Sequence, residues 1–293
     1  MAMASNAAVV RRTRARFGAP TALGWLALPG LLLVVVVFAY PAARLLLRSF
    51  TEPPGGLANY EAVFTDGVLL RILWRSVWVA AVVTAIALVC GYVYAFAAVT
   101  AGRRLRATLL TLVGASLFVS VIVRGYSWLA ILDRKGAMNV ALDAVGLDAL
   151  QTVLVHNFAG VVIGMIQYGI PFMVLAVYDV MRRVDPNLTK AASTLGARPA
   201  SAFVRVFLPL TLPGVIAGSV IVFITTLGYY ILPAILGGPQ TTVVGQVIAE
   251  KIQTTLEWST ATALSGVLLL VSMVGFVAFL RVTRRYGAGV ANG

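Results

Sequence analysis

Six long apolar stretches constrain this chain more than anything else in it. A helix that crosses a bilayer needs about 20 mostly apolar residues, because the hydrocarbon core is about 30 Å thick. Six segments meet that length: about Thr21 to Leu47, Trp74 to Val99, Ala107 to Leu132, Thr152 to Val180, Leu210 to Leu236 and Ala261 to Val282. A membrane interior admits only helices or closed barrels, since no water is present to satisfy backbone polar groups. Runs of this length predict an all-α membrane protein with six transmembrane helices. Only 11% of the 293 residues are charged, against about 25% in soluble domains.

The charges set the orientation. Fifteen of the 23 Lys and Arg residues fall in the N-terminal segment, the Arg103–Arg106 loop, the Met181–Leu208 loop and the C-terminal end. Only Asp179 and Asp185 oppose them there. The other eight acids, including Asp133, Asp148, Glu250 and Glu257, lie in the alternate loops. The positive-inside rule then predicts that both termini are cytoplasmic. The parts expected are a basic segment 1–20, a transmembrane domain 21–283 containing a cytoplasmic loop 185–213, and a tail 284–293. The first apolar run is long and lacks a clean small-residue cleavage site, so it reads as a retained membrane helix. The net charge of +13 is spread over the ends of apolar runs rather than gathered into a patch, which argues against nucleic acid as a partner.

Little in the spans suggests covalent chemistry. The single cysteine, Cys90, lies within an apolar run and excludes an internal disulfide. The single histidine, His156, begins another run and reads as interfacial. There is no cluster of metal-ligating residues, no paired carboxylates and no phosphate-binding GxxxxGK[ST] loop. The chain is therefore expected to be non-catalytic, without metal or cofactor of its own.

The loop KAASTLGARPASAFVRVFLPLTLPG, from Lys190 to Gly214, carries more information. Asp185-Pro186 is a helix start: Asp accepts from free N–H groups, and Pro at the first position loses no hydrogen bond. Leu188, Ala191, Ala192 and Leu195 fall on one face at helical spacing. Gly196 suits the left-handed stop. Pro199 begins a second helix with Phe203, Val206 and Phe207 on its apolar face, and Leu208-Pro209 and Leu212-Pro213 are expected to break the chain before the fifth span. Arg198 and Arg205 are expected on the polar side. Read from physics alone, this hairpin either lies on anionic headgroups or is gripped by a protein partner.

Within the spans, polar and aromatic side chains mark candidate pathways. Arg124 is placed about 24 Å along the third span from its cytoplasmic start at 1.5 Å per residue, where it either snorkels to the outer interface or serves in a pair or a path. Tyr126 and Trp128 read as interface anchors or path residues. In the fifth span Gly228 and Pro233 bracket Tyr229, Tyr230, Ile231 and Leu232, either as a packed kink or as a gate. Gln167 and Tyr168 are weaker candidates. No acidic residue lies deep in any span, so a cationic cargo would rely on aromatic faces and on Asp133, Glu250 and Glu257, whereas Arg124 suits an anion.

The loop resembles the EAA loop of binding-protein-dependent ABC importer permeases. That pattern is carried here by Lys190-Ala191-Ala192, Gly196 and Phe207-Leu208-Pro209. The segments VIVRGYSWLAIL, VIGMIQYGIPFMVLAVYDVMRRVDPNLTKAASTLGA and LGYYILPAILGGPQTTVVGQVI are similar to the spermidine/putrescine branch. The resemblance implies a six-helix type I importer fold in the bacterial inner membrane. It implies as partners a second permease subunit, in a heterodimeric pair or else a homodimeric one, two ATP-binding subunits and an extracytoplasmic binding protein. ATP and Mg would act on the ATP-binding subunits. Lys190, Ala191, Ala192, Leu195, Gly196 and Pro199 would couple to them. Tyr229, Tyr230, Ile231, Tyr126, Trp128, Arg124 and Asp133 would line or gate the path. The likeness favours a polyamine as cargo, with a small anion such as a phosphonate or carboxylate as the alternative; a stand-alone secondary transporter is disfavoured by the lack of clear inverted repeats. One departure stands out: the glutamate of the pattern is Lys190 here.

Overall fold

The computed structural model describes residues 22–147 and 152–290. The expected N-terminal segment 1–20, Thr21, Asp148 and residues 291–293 lie outside them. Contacts divide the chain into two units that meet at Leu47 and Arg48. Helix is the only regular structure among the described residues. They contain five continuous helical spans, and a sixth if one sharply bent pair is counted.

In the first unit, α1 (Ala22–Val34) passes through a π-helical turn, Val35–Ala39, into α2 (Tyr40–Thr51). The π turn has an identifiable cause. Pro41 has no N–H to offer Val37, and the Tyr40 N–H reaches five residues back to the Val35 carbonyl. Leu31, Val36 and Phe38 are all more than half exposed, as expected of a helix surrounded by hydrocarbon.

The second unit begins with a turn closed by Asn59, which is buried and donates to the carbonyls of Ser49 and Glu52 at 3.0 and 2.9 Å. A short helix, α3 (Ala58–Thr65), follows. Asp66 then caps α4 (Gly67–Thr100), accepting from the Val68 and Leu69 N–H groups. At 34 residues, α4 is about 51 Å long, so it extends past the hydrocarbon.

The third span departs from expectation. In place of one helix over 107–132 there are two, α5 (Arg103–Leu117) and α6 (Val121–Leu132), and the chain bends by 101° between Arg103–Leu117 and Val121–Ala144. A three-residue break, Phe118 to Ser120, separates them. Hydropathy continues unbroken through that break, so the pattern could not reveal it. Beyond α6 come α7 (Ala137–Ala144) and then α8 (Phe158–Met181), started by Asn157, whose Oδ1 accepts from Gly160 at 3.0 Å.

The cytoplasmic loop follows as α9 (Pro186–Thr194) and α10 (Pro199–Ala202). A π turn, Phe203–Phe207, leads directly into α11 (Leu208–Leu227). Here the expected proline break is wrong. Pro209 cannot donate to Arg205, and the π turn absorbs the lost bond, with the Leu208 N–H meeting Phe203 five residues back. Pro199–Leu227 is therefore one helical span. The fifth apolar stretch breaks instead at Gly228–Tyr230, before α12 (Ile231–Leu236). Last come α13 (Val244–Gln253) and α14 (Trp258–Val290), so the helix runs on through the segment expected as a tail.

The core lies where α4, α8 and α11 pack together, around Val83, Ala87, Met173, Val174, Val177 and Val222. Met173 sits between two glycines that set this spacing. A Cβ on Gly91 would stand 2.7 Å from its Cγ, and one on Gly218 2.6 Å from its Sδ. Small residues at helix contacts allow the backbone approach that membrane packing relies on.

Candidate functional sites: an exposed cytoplasmic helix and a buried aromatic cluster

The Asp185 cap on α9 is as expected: its carboxylate accepts from the Asn187 N–H at 2.9 Å, and Pro186 opens the helix. The end of α9 is a complete Schellman motif. Gly196 has φ +86°, its N–H donates to the Ser193 carbonyl at 3.0 Å, and the Ala197 N–H donates to Ala192 at 3.0 Å. That geometry satisfies carbonyls that a helix end leaves open. Leu195 is the capping residue itself, one position beyond the last helical residue.

The two sides of α9 differ. Leu188 and Leu195 are 45% and 89% exposed, and Ala191 and Lys190 are exposed with them. On the other side α9 roofs a cleft of about 490 Å³, lined among others by Phe96, Met181, Ser193, Phe203 and Phe207, with Lys190 and Asp185 also contributing. Phe96 meets Phe203 and Phe207 edge-on at 5.4 and 5.7 Å. These rings tie the loop to the end of α4. The expected face of Phe203 and Phe207 is thus used within the chain, whereas the Leu188–Leu195 face is left uncovered by the described residues. Arg198 and Arg205 are exposed, and Pro199 opens α10. Lys190 makes no ion pair among the described residues; at the end of α8, Asp179 pairs with Arg182 and Arg183, each at 2.7 Å.

The second site is inside the helix bundle. Arg124 is only 5% exposed, so it does not snorkel. The distance of 24 Å assumed a straight span, and the 101° bend removes that assumption. Instead Arg124 turns inward. Its Nη2 donates to the Ser116 carbonyl in the last turn of α5, and its guanidinium lies 5.5 Å from the centre of the Tyr168 ring. Tyr168 stands 4.6 Å from Tyr229 and 5.4 Å from Phe172. Arg124, Tyr168 and Tyr229 therefore form one contiguous cluster joining α6, α8 and the break after α11. Buried polar atoms ordinarily have partners, yet Arg124 Nε, Tyr229 Oη, Gln167 Oε1 and Thr226 Oγ1 have none among the described residues.

Not all the candidates gather here. Tyr126 is 60% exposed on the opposite side of α6, while Trp128 is partly buried against the core. Tyr230 is 42% exposed and Ile231 half-buried beside the break. Asp133 caps the far end of α6, exposed and away from Arg124's contacts. Of the outer acids, Glu257 is engaged by Lys251 at 2.6 Å. Sequence reasoning passed over Ser116, Phe96 and Thr226. Their only signal is a polar or aromatic side chain in an apolar run, which many packed helices share.

Five continuous apolar spans with a sixth bent one, a capped loop helix with an exposed apolar face, and a polar cluster at a broken span are the parts of a polytopic membrane protein. The chain belongs to the family of binding-protein-dependent transport system inner membrane components, whose pattern it matches over residues 57–287. It is therefore a multi-pass inner-membrane permease subunit of an ABC importer. It is 30% identical over 253 residues to the spermidine/putrescine transport system permease protein PotB of Haemophilus influenzae, covering 86% of this chain and 87% of that one. It is 28% identical over 268 residues to PotB of Escherichia coli K12, covering 90% and 96%. The fold is shared with a chain of a bacterial ABC transporter that imports the acidic polysaccharide alginate, at TM-score 0.76 and 18% identity over 90% of this chain and 95% of that one.

Proposed function

We propose that this permease carries a polyamine of the spermidine/putrescine type, delivered by an extracytoplasmic binding protein, into the cytoplasm by alternating access. One observation carries the cargo assignment: likeness to PotB permeases over nearly the whole of both chains. A second permease chain completes the path. Separate ATP-binding subunits hydrolyse ATP with Mg and grip α9 through Leu188, Ala191 and Leu195, with Gly196 fixing the end of that grip. The uncovered apolar face of a well-capped helix supports this role. Ala192 and Pro199 hold the turn behind it, and Lys190 takes a local contact different from that of a glutamate. Tyr229, with Tyr168 beneath it, acts as the outward gate, and Tyr230, Ile231 and Trp128 border it.

A small anion is the second reading, and Arg124 favours it: a buried guanidinium with no carboxylate partner among the described residues suits an anionic cargo. The test is to isolate the intact transporter with its binding protein and identify the retained ligand by mass spectrometry. A polyamine supports the first reading. A phosphonate or carboxylate replaces it with the second.

A further inference from the structure

Two interruptions of the membrane helices are followed by helices that pack against each other. One is the α5–α6 bend and the other is the α11–α12 break at Gly228–Tyr230. The helices just beyond them, α6 and α12, are pressed close: a Cβ on Gly125 of α6 would stand 2.6 Å from Ile235 Cδ1 of α12. Arg124, the residue before Gly125, reaches the first interruption directly and the second through Tyr168. It donates to Ser116 at the end of α5 and lies over Tyr168, which in turn contacts Tyr229 in the break.

Both contacts suit a cation for independent reasons. The carbonyls at a helix C-terminus carry partial negative charge that favours a guanidinium. A ring face attracts a cation more strongly where water is excluded. Burying this charge is costly unless such partners compensate it, so the guanidinium holds its two partners in one arrangement. Arg124 Nε and Tyr229 Oη have no hydrogen-bond partner among the described residues. The arrangement is thus held by few bonds: separating α6 from α8 forfeits the contact of Arg124 with Tyr168, and separating α8 from the break after α11 forfeits that of Tyr168 with Tyr229.

We propose that Arg124 is the positioning residue of the outward gate. It holds the gate closed by tying the end of α5 to the Tyr168–Tyr229 pair, and gate opening requires that tie to release. This rests on the reading of Tyr229 as a gate residue.

The test uses the full transporter, with its partner permease and ATP-binding subunits, in proteoliposomes. Two quantities are read: ATP hydrolysis without binding protein, and efflux of preloaded radiolabelled spermidine. Arg124→Gln is expected to raise both by about tenfold, within the range of ordinary coupling between sites. Arg124→Lys keeps the charge but lacks the planar fork, and is expected to fall between. Tyr168→Leu should match Arg124→Gln, and the double variant should add little, since the two act through one contact. A purely structural role would lower yield and thermal stability but leave both readouts at the wild-type level, which overturns the proposal. Should Arg124→Gln fail to assemble, a folded Arg124→Lys with wild-type values overturns it equally. Tyr229→Ala separates the two ideas. Leak there without leak in the Arg124 variants overturns the role of Arg124 and leaves the gate standing. Folded variants that all remain tight remove the gate reading, and this proposal with it.

Discussion

Replacing Gly196 with valine tests whether the end of α9 is coupled to transport. Gly196 has φ +86°, and an added Cβ would meet nothing within 4 Å. No clash enters, so the whole effect comes from the backbone. A left-handed conformation costs an ordinary L-residue about 1–2 kcal/mol, and a β-branched one is a genuine outlier there. About 2 kcal/mol corresponds to a shift of about 30-fold in the population of the capped turn. The turn would relax by giving up the Gly196–Ser193 and Ala197–Ala192 hydrogen bonds, which moves Leu195 out of place. Gly56 supplies a matched control, because its φ is +63° and it too has open space around its Cβ, yet it lies in the loop before α3. Uptake of radiolabelled spermidine by the reconstituted transporter should fall at least tenfold with Gly196→Val, at unchanged affinity of the binding protein for its ligand. It should stay near wild type with Gly56→Val. Normal uptake by Gly196→Val, in a complex assembled to wild-type yield, would refute the reasoning. So would an equal loss in both variants, since it would mean that any strained turn impairs the protein.

Three further outcomes follow from the same geometry. Asp185→Ala removes the carboxylate that accepts from Asn187 and should cost about 1 kcal/mol of local helix stability, seen as faster amide exchange confined to 187–190. Leu195→Asp places a charge on a side chain that is 89% exposed, so the permease should keep its thermal stability while losing co-purification with the ATP-binding subunits. Gly91→Val would set a side chain 2.7 Å from Met173 Cγ and overpack the α4–α8 contact by about 1–3 kcal/mol, lowering the melting temperature in detergent without touching the cytoplasmic loop.

The sequence was most legible where local chemistry decides the structure. Asp185-Pro186 and Gly196 delimit α9 because capping and the left-handed turn depend on a few adjacent residues. The apolar spans were legible because lipid imposes length and composition. The α5–α6 bend was not, since Phe118, Val119 and Ser120 are compatible with hydropathy on either side and the direction of the chain is set by tertiary packing against α8 and α12. The inward turn of Arg124 follows from that bend, and a straight-helix distance placed it wrongly. Prolines misled in a different way. Pro209 removes one hydrogen bond, but a π turn accommodates the loss, so that loop and span are continuous where a break was expected. The Schellman end of α9 was anticipated in position, whereas the burial of Phe96 and Phe203 behind it depends on α4 and could not be read locally.

The central claim is that the uncovered face of α9 is the surface gripped by the ATP-binding subunits. It is tested most directly by site-specific cross-linking. With Cys90 replaced by serine, a single cysteine at position 195 carries a short photoactivatable cross-linker in the assembled transporter. The account predicts one dominant adduct, with peptides of the ATP-binding subunit joined to residue 195 and none formed from a cysteine at position 56. An intact transporter that yields no such adduct at 195, or yields it equally from 56, would contradict it.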